Sequence, residues 1–151
     1  MMAVLFYSSS MTYHEQTSVP LLERLLHAQP LKSWLSQFSF QYAGSEQSIK
    51  VSGYFKFVEF FVRKGAHFGT YFLLGLFSYL GLRPRLTGAG LAVIFSWLAT
   101  TGYAATDEFH QMLTGDRTPL FQDVILDSVG ALTGIVLFLI IERLWRLKKR
   151  R

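Results

Sequence analysis

Three stretches of this chain are almost continuously apolar: GAHFGTYFLLGLFSYLGL (65–82), LTGAGLAVIFSWLATTGYAA (86–105) and DVILDSVGALTGIVLFLIIERLW (123–145). A spanning helix needs about 20 mostly apolar residues to cross about 30 Å of hydrocarbon, so each stretch predicts one transmembrane helix. All three are rich in small residues. Gly65 with Gly69, and Gly130 with Gly134, have the four-residue spacing that puts both on one helix face and lets helices approach closely in lipid. Upstream the period is the same but the runs are short. Leu31, Trp34, Leu35 and Phe38 stand at i, i+3, i+4 and i+7, the stripe of an amphipathic helix too short to span, expected at the membrane interface or over the outer ends of the bundle. The opening MMAVLFYSSS has no basic region before it and is too short to cross, so it reads as the tail of a first membrane helix.

The pattern therefore predicts an all-α integral membrane bundle: three full transmembrane helices, a partial N-terminal helix and an amphipathic outer segment. The expected division is 1–56 for the helix remnant and outer segment, 57–145 for the transmembrane domain and 146–151 for a basic tail.

Composition agrees. Half of the 151 residues are hydrophobic, and the 17 % that are charged fall below the quarter or so usual in soluble domains. The net charge of +5 is concentrated in RLWRLKKRR at the C-terminus, where a stop-transfer anchor or anionic headgroups account for it and nucleic acid is not needed. With no Cys, thiol catalysis, disulfides and Cys-ligated metals are excluded. Arg83 and Arg85 after the first stretch, and Arg146, Lys148, Lys149, Arg150 and Arg151 after the third, put both ends in the cytoplasm by the positive-inside rule, and the loop after the second stretch then faces outward. Arg24, Lys32, Lys50, Lys56, Arg63 and Lys64 fall on that outer side and weigh against the assignment.

Chemistry enters where the apolar runs end. Asp107, His110 and Gln111 share a helix face by their spacing, with Glu108 about a quarter turn away; Asp123 and Asp127 are four apart; Lys64 and His67 are three apart. An ionisable group at the bilayer midplane costs about 2.5–3.5 kcal/mol on insertion scales, so several together need mutual pairing or a hydrated cavity. Three helix ends thus deliver Lys64, His67, Asp107, Glu108, His110, Gln111, Arg117, Asp123 and Asp127 to one level, which predicts a polar pocket roofed by residues 106–122.

The segments RKGAHFGTYFLLG, DEFHQMLTGDR and DVILDSVGALTG, in that order, resemble the VanZ-like family of bacterial membrane proteins over roughly residues 54–142. The positions that carry the resemblance are Lys64, His67, Phe68, Asp107, Glu108, His110, Gln111, Arg117, Asp123, Val124 and Asp127. Where the family pattern commonly has Pro-Gly-Arg, this chain has Gly115, Asp116 and Arg117. The family also opens with a membrane helix whose end is similar to MMAVLFYSSS. The resemblance implies resistance to teicoplanin-type glycopeptides and leaves the molecular activity undefined.

Two functional readings follow. In the first, the pocket binds or shields an envelope lipid, a lipid-linked cell-wall precursor or a lipoglycopeptide, with Lys64 and Arg117 holding an anion and Gln111, Asp123 and Asp127 completing the contacts. In the second it is an enzyme: Glu108 or His110 acts as base or metal ligand, oriented by Asp107 and joined by His67, and mixed His and carboxylate donors would suit Zn or Mn. Against both stands a purely structural ion-pair network that locks three helices. No phosphate loop, nucleophile elbow or H-E-x-x-H pair is present, so ATP-driven work is not expected.

Overall fold

The computed structural model describes residues 17–113 and 120–149. The expected N-terminal helix remnant and Arg117 lie outside these residues. In chain order the elements are α1 (Val19–Leu25), α2 (Lys32–Leu35), β1 (Ser39–Tyr42), β2 (Ser45–Ser48), α3 (Ile49–Ser52), α4 (Tyr54–Leu82), a 3-10 turn (Arg83–Arg85), α5 (Ala89–Leu113) and α6 (Phe121–Lys149). Among the described residues the fold is all-α apart from one two-stranded hairpin.

The apolar runs become the three long helices. Arg83-Pro84-Arg85 ends the first of them, and α5 returns beside it after the positive-φ Gly88. The strongest packing is between α4 and α6, which run parallel and in register. Lys64 meets Asp123 at one end and Arg83 meets Glu142 at the other, and each pair is 59 residues apart in sequence. Between them the backbones nearly touch. A Cβ on Gly134 would lie 2.3 Å from the Phe72 carbonyl oxygen, one on Gly130 2.7 Å from that of Phe68, and one on Gly75 2.6 Å from that of Ala131. Only glycine allows this approach. The pairing of Gly130 with Gly134 thus serves the expected purpose, but Gly65 and Gly69 do not, since no described atom lies within 4 Å of a Cβ at either. Helix α5 is held to α6 by hydrogen bonds: Trp97 Nε1 donates to Ser128 Oγ at 2.9 Å, and Thr101 Oγ1 lies 2.8 Å from the same atom.

The polarity of the bundle is inverted relative to a soluble protein. Along α5 the buried positions are Ala92, Ser96, Thr100, Ala104, Asp107, Glu108 and Gln111, whereas Leu91, Ile94, Phe95 and Leu98 are exposed. Small and polar residues inside with large apolar ones outside is the arrangement of a helix that packs in lipid. Among the described residues two helices, α5 and α6, are long and apolar enough to cross a membrane. The expected third, α4, spans 29 residues. Its first half carries Lys56, Glu59, Arg63 and Lys64, and His67, Thr70, Tyr71, Ser78 and Tyr79 dilute the rest.

The outer segment departs from its expected form. The stripe from Leu31 to Phe38 yields a single turn, Lys32–Leu35, because Leu31 adopts a left-handed φ of 60° and the chain becomes extended at Ser39. From there the period is two: Phe40 and Tyr42 face inward, Ser39 and Gln41 outward. The two-residue connection Ala43-Gly44 has φ of 51° and 79°, the positive values that a tight hairpin turn demands. Phe40 packs on Phe57, Phe60 and Phe61 of α4, and Tyr42 on Phe60, which fixes the hairpin over the start of that helix. Buried Glu59 anchors the other end, accepting hydrogen bonds from the Ser18 amide at 2.6 Å and Thr17 Oγ1 at 2.9 Å just before α1.

Candidate functional site

Lys64 and Asp123 form the centre of the site. Lys64 reaches across from α4 so that Nζ lies 2.5 Å from both carboxylate oxygens of Asp123, in the first turn of α6. The Tyr42 hydroxyl donates to the same carboxylate from the hairpin. The ammonium also lies 4.8 Å from the Tyr42 ring centroid and 5.6 Å from that of Phe60, a setting in which ring faces add to the attraction. Burial first, and then its bond to the Asp123 carboxylate, hold the Tyr42 phenol well above its ordinary range. Tyr42 therefore stays a neutral donor at any physiological pH.

These groups line a cleft of about 540 Å³, bounded among the described residues by the hairpin, α4, the end of α5 and the start of α6. Lys56, Glu59 and Arg63 enter it from α4, and Glu108 and Gln111 from α5. Glu108 is buried and accepts a hydrogen bond from the Leu120 amide at 3.0 Å, which pins the chain leading into α6. Gln111 Nε2 donates to Asp107 Oδ2 at 3.1 Å, so buried Asp107 is coupled to the cleft through its neighbour one turn on.

One turn below Lys64 and Asp123, an imidazole and a buried carboxylate face each other. His67 Nδ1 is 3.5 Å from Asp127 Oδ2, and the Asp127 side chain is only 2 % exposed. Of the residues picked from the sequence, Lys64, Glu108, Gln111 and Asp123 meet in the cleft, His67 and Asp127 lie directly beneath it, and Asp107 joins through Gln111. His110 is placed apart from the cleft: with Asp107 it borders a smaller cavity of about 180 Å³ walled by Tyr103, Thr106, Phe109 and Leu113. Among the described residues no group of three or more His, Asp and Glu side chains is arranged to hold a metal ion.

Sequence reasoning missed Tyr42, Phe60 and Glu59. The signal for Tyr42 was present, in the alternation of Ser39 to Tyr42 followed by Ala-Gly. That for Glu59, a carboxylate four residues before Arg63 in an aromatic helix, marks nothing without knowledge of what packs against it.

A model of the VanZ/LLP1 family matches residues 1–142. The chain belongs to this family. Neither curated proteins nor solved structures gave a match. The VanZ match takes in the hairpin and the outer segment as well as the three long helices, so Tyr42 lies within the family region as much as Lys64 and Asp123 do. Together with two apolar helices, membership of the VanZ/LLP1 family points to a membrane protein.

Proposed function

We propose that this VanZ-family protein crosses the bacterial cytoplasmic membrane with α4, α5 and α6, and that its cleft faces outward to engage the polar head of an envelope lipid or lipid-linked cell-wall precursor, contributing to tolerance of teicoplanin-type glycopeptides. The observation that carries this reading is the cleft itself, a set of ionisable groups neutralised among themselves at one end of an otherwise apolar-walled bundle. Lys64 on α4 and Arg83 at its C-cap are 19 positions apart, or about 28 Å along the helix axis, close to the thickness of the hydrocarbon layer. That spacing supports α4 as a third span. Arg83, Arg85, Arg143, Arg146, Lys148 and Lys149 cluster at the other end of the bundle, which supports a cytoplasmic location for it.

Lys56, Arg63 and Lys64 supply donors for phosphate or sugar oxygens, and Glu108, Gln111 and Asp123 supply acceptors for hydroxyl groups. Membrane lipids are the immediate partners of the apolar walls. A second reading, acid-base chemistry on the same headgroup, is favoured by Glu108, a buried carboxylate facing the cleft.

The test expresses the chain in a susceptible bacterium and measures teicoplanin tolerance, while purified protein is assayed by native mass spectrometry for binding of an isoprenoid diphosphate against the same isoprenoid alcohol. The diphosphate is expected to bind, and Lys64→Ala to abolish both binding and tolerance. Loss of tolerance in Glu108→Gln with diphosphate binding intact favours the chemical reading. Unchanged tolerance on expression, with equal binding of diphosphate and alcohol, rejects the proposal. Because the chain has no Cys, Ala43→Cys and Leu147→Cys report orientation directly: an impermeant maleimide applied to whole cells should label only the first.

A further inference from the structure

Helix α6 continues past the point where α4 ends. Arg83, at the C-cap of α4, meets Glu142, and α6 runs on from there to Lys149. Trp145 and Lys149 stand about 4.5 and 10 Å beyond Glu142 along the axis. The headgroup layer on each side of the hydrocarbon is about 5–8 Å thick. With Glu142 at the edge of the hydrocarbon, the last two turns of α6 therefore cross the level of the lipid phosphates.

In these turns Glu142, Trp145, Arg146 and Lys149 follow one another at i, i+3, i+4 and i+7, and together they line a shallow groove of about 380 Å³. Its one carboxylate is already satisfied, since Arg83 and Arg146 bind the two oxygens of Glu142 at 2.8 and 2.7 Å. Two guanidiniums on one carboxylate leave a net positive charge. Lys149 adds another: its ammonium lies 5.4 Å from the Trp145 ring centroid and has no ion-pair partner among the described residues. Beside these cations Trp145 is 63 % exposed, with Leu144 and Leu147 also exposed. A soluble anion would answer the charge and leave the indole uncovered. A zwitterionic lipid would cover the indole but bring its own cation to the groove. An anionic phospholipid supplies both the apolar cover and an unopposed phosphate.

We propose that the groove of Trp145, Arg146 and Lys149 is a binding site for an anionic phospholipid, its phosphate held between the guanidinium and the ammonium and its glycerol backbone laid against the indole. The inference rests on α6 crossing the membrane and not on what the cleft binds. It also differs from a general bias of positive charge to one side of the membrane, which takes no account of helix face. Arg143 and Lys148 carry the same charge in the same two turns but project roughly 110° from the centre of the groove, one to either side.

Native mass spectrometry tests this, with the full chain presented in detergent with equal amounts of phosphatidylglycerol and phosphatidylcholine of identical acyl chains. Several-fold more phosphatidylglycerol than phosphatidylcholine is expected to remain bound. The double substitution Arg146→Gln with Lys149→Gln should bring the ratio close to one, whereas Arg143→Gln with Lys148→Gln, which removes the same charge outside the groove, should leave it several-fold. Equal retention of the two lipids by the unaltered protein overturns the proposal. So does an equal fall in both double variants, which would make the preference a matter of net charge, or an unchanged ratio in both, which would put the lipid elsewhere, the cleft included. Failure of the cleft to bind a diphosphate leaves this ratio untouched.

Discussion

The two ends of the α4 and α6 pair are built from the same device and used differently. At the cleft end, Lys64 and Asp123 are 20 % and 16 % exposed, gripped by Tyr42 and Phe60, and backed by His67 and Asp127 a turn below. At the other end, Arg83 and Glu142 are 31 % and 25 % exposed; Arg146 shares the Glu142 carboxylate at 2.7 Å, and the Tyr79 hydroxyl accepts from Arg83 at 2.6 Å. The second arrangement is a staple open to water, with two arginines on one carboxylate. The first carries more carboxylates than holding two helices together requires, namely Asp107, Glu108 and Asp127 in addition to Asp123, all buried or nearly so. Burial of excess charge works against stability unless each group is partnered. The difference teaches that the two ends are not interchangeable: the cleft end buries carboxylates in excess of its one ion pair, and the staple end does not.

The sharpest way to break this comparison is to remove the carboxylate at each end. Asp123→Ala leaves the Lys64 ammonium and the Tyr42 hydroxyl without their acceptor in a half-buried setting and is expected to cost about 3 kcal/mol, read as a lower thermal unfolding midpoint in detergent. Glu142→Ala should lower the midpoint much less, and equal losses would mean the two ends are equivalent.

The shared spacer between the ends is probed next. Gly134→Val drives a side chain into the Phe72 backbone and is expected to cost about 1–3 kcal/mol, spreading both ends together. Gly69→Ala fills open space beside α4 and should stabilise by about 0.5–1 kcal/mol. Tyr42→Phe removes one donor from Asp123 while keeping the ring over Lys64, for an expected loss of about 1–2 kcal/mol. A loss as large as that of Asp123→Ala would place the hairpin, not Lys64, as the main partner. The smallest effect is that of salt. In about 1 M NaCl the Debye length falls to about 3 Å, so the midpoint difference between Glu142→Ala and the unaltered protein should vanish while that of Asp123→Ala persists.

How far the chain could be read in advance varies by element. The three long helices and the gathering of Lys64, Glu108, Gln111 and Asp123 were legible because length, hydropathy and the exclusion of charge from hydrocarbon act locally and strongly. The stripe from Leu31 to Phe38 was legible as a pattern and misleading as a helix, since four apolar positions fit one helical turn followed by an extended chain as well as they fit two turns. The small-residue pairs show the same division: Gly65/Gly69 and Gly130/Gly134 are identical as motifs, and only one of them meets another backbone.

The amino-acid order by itself determined that this protein would be a set of apolar helices with charge confined to their ends, because solvation energies attach to residues wherever they go. It did not determine the parallel register of α4 and α6, the turning of His110 toward a separate cavity, or the descent of Tyr42 onto Asp123 from 81 residues away. Those depend on which faces meet, and that choice is made jointly by glycines that permit contact, aromatic rings that fill the remaining space and ion pairs whose partners lie on different helices. None of those terms has a value until the chain has folded.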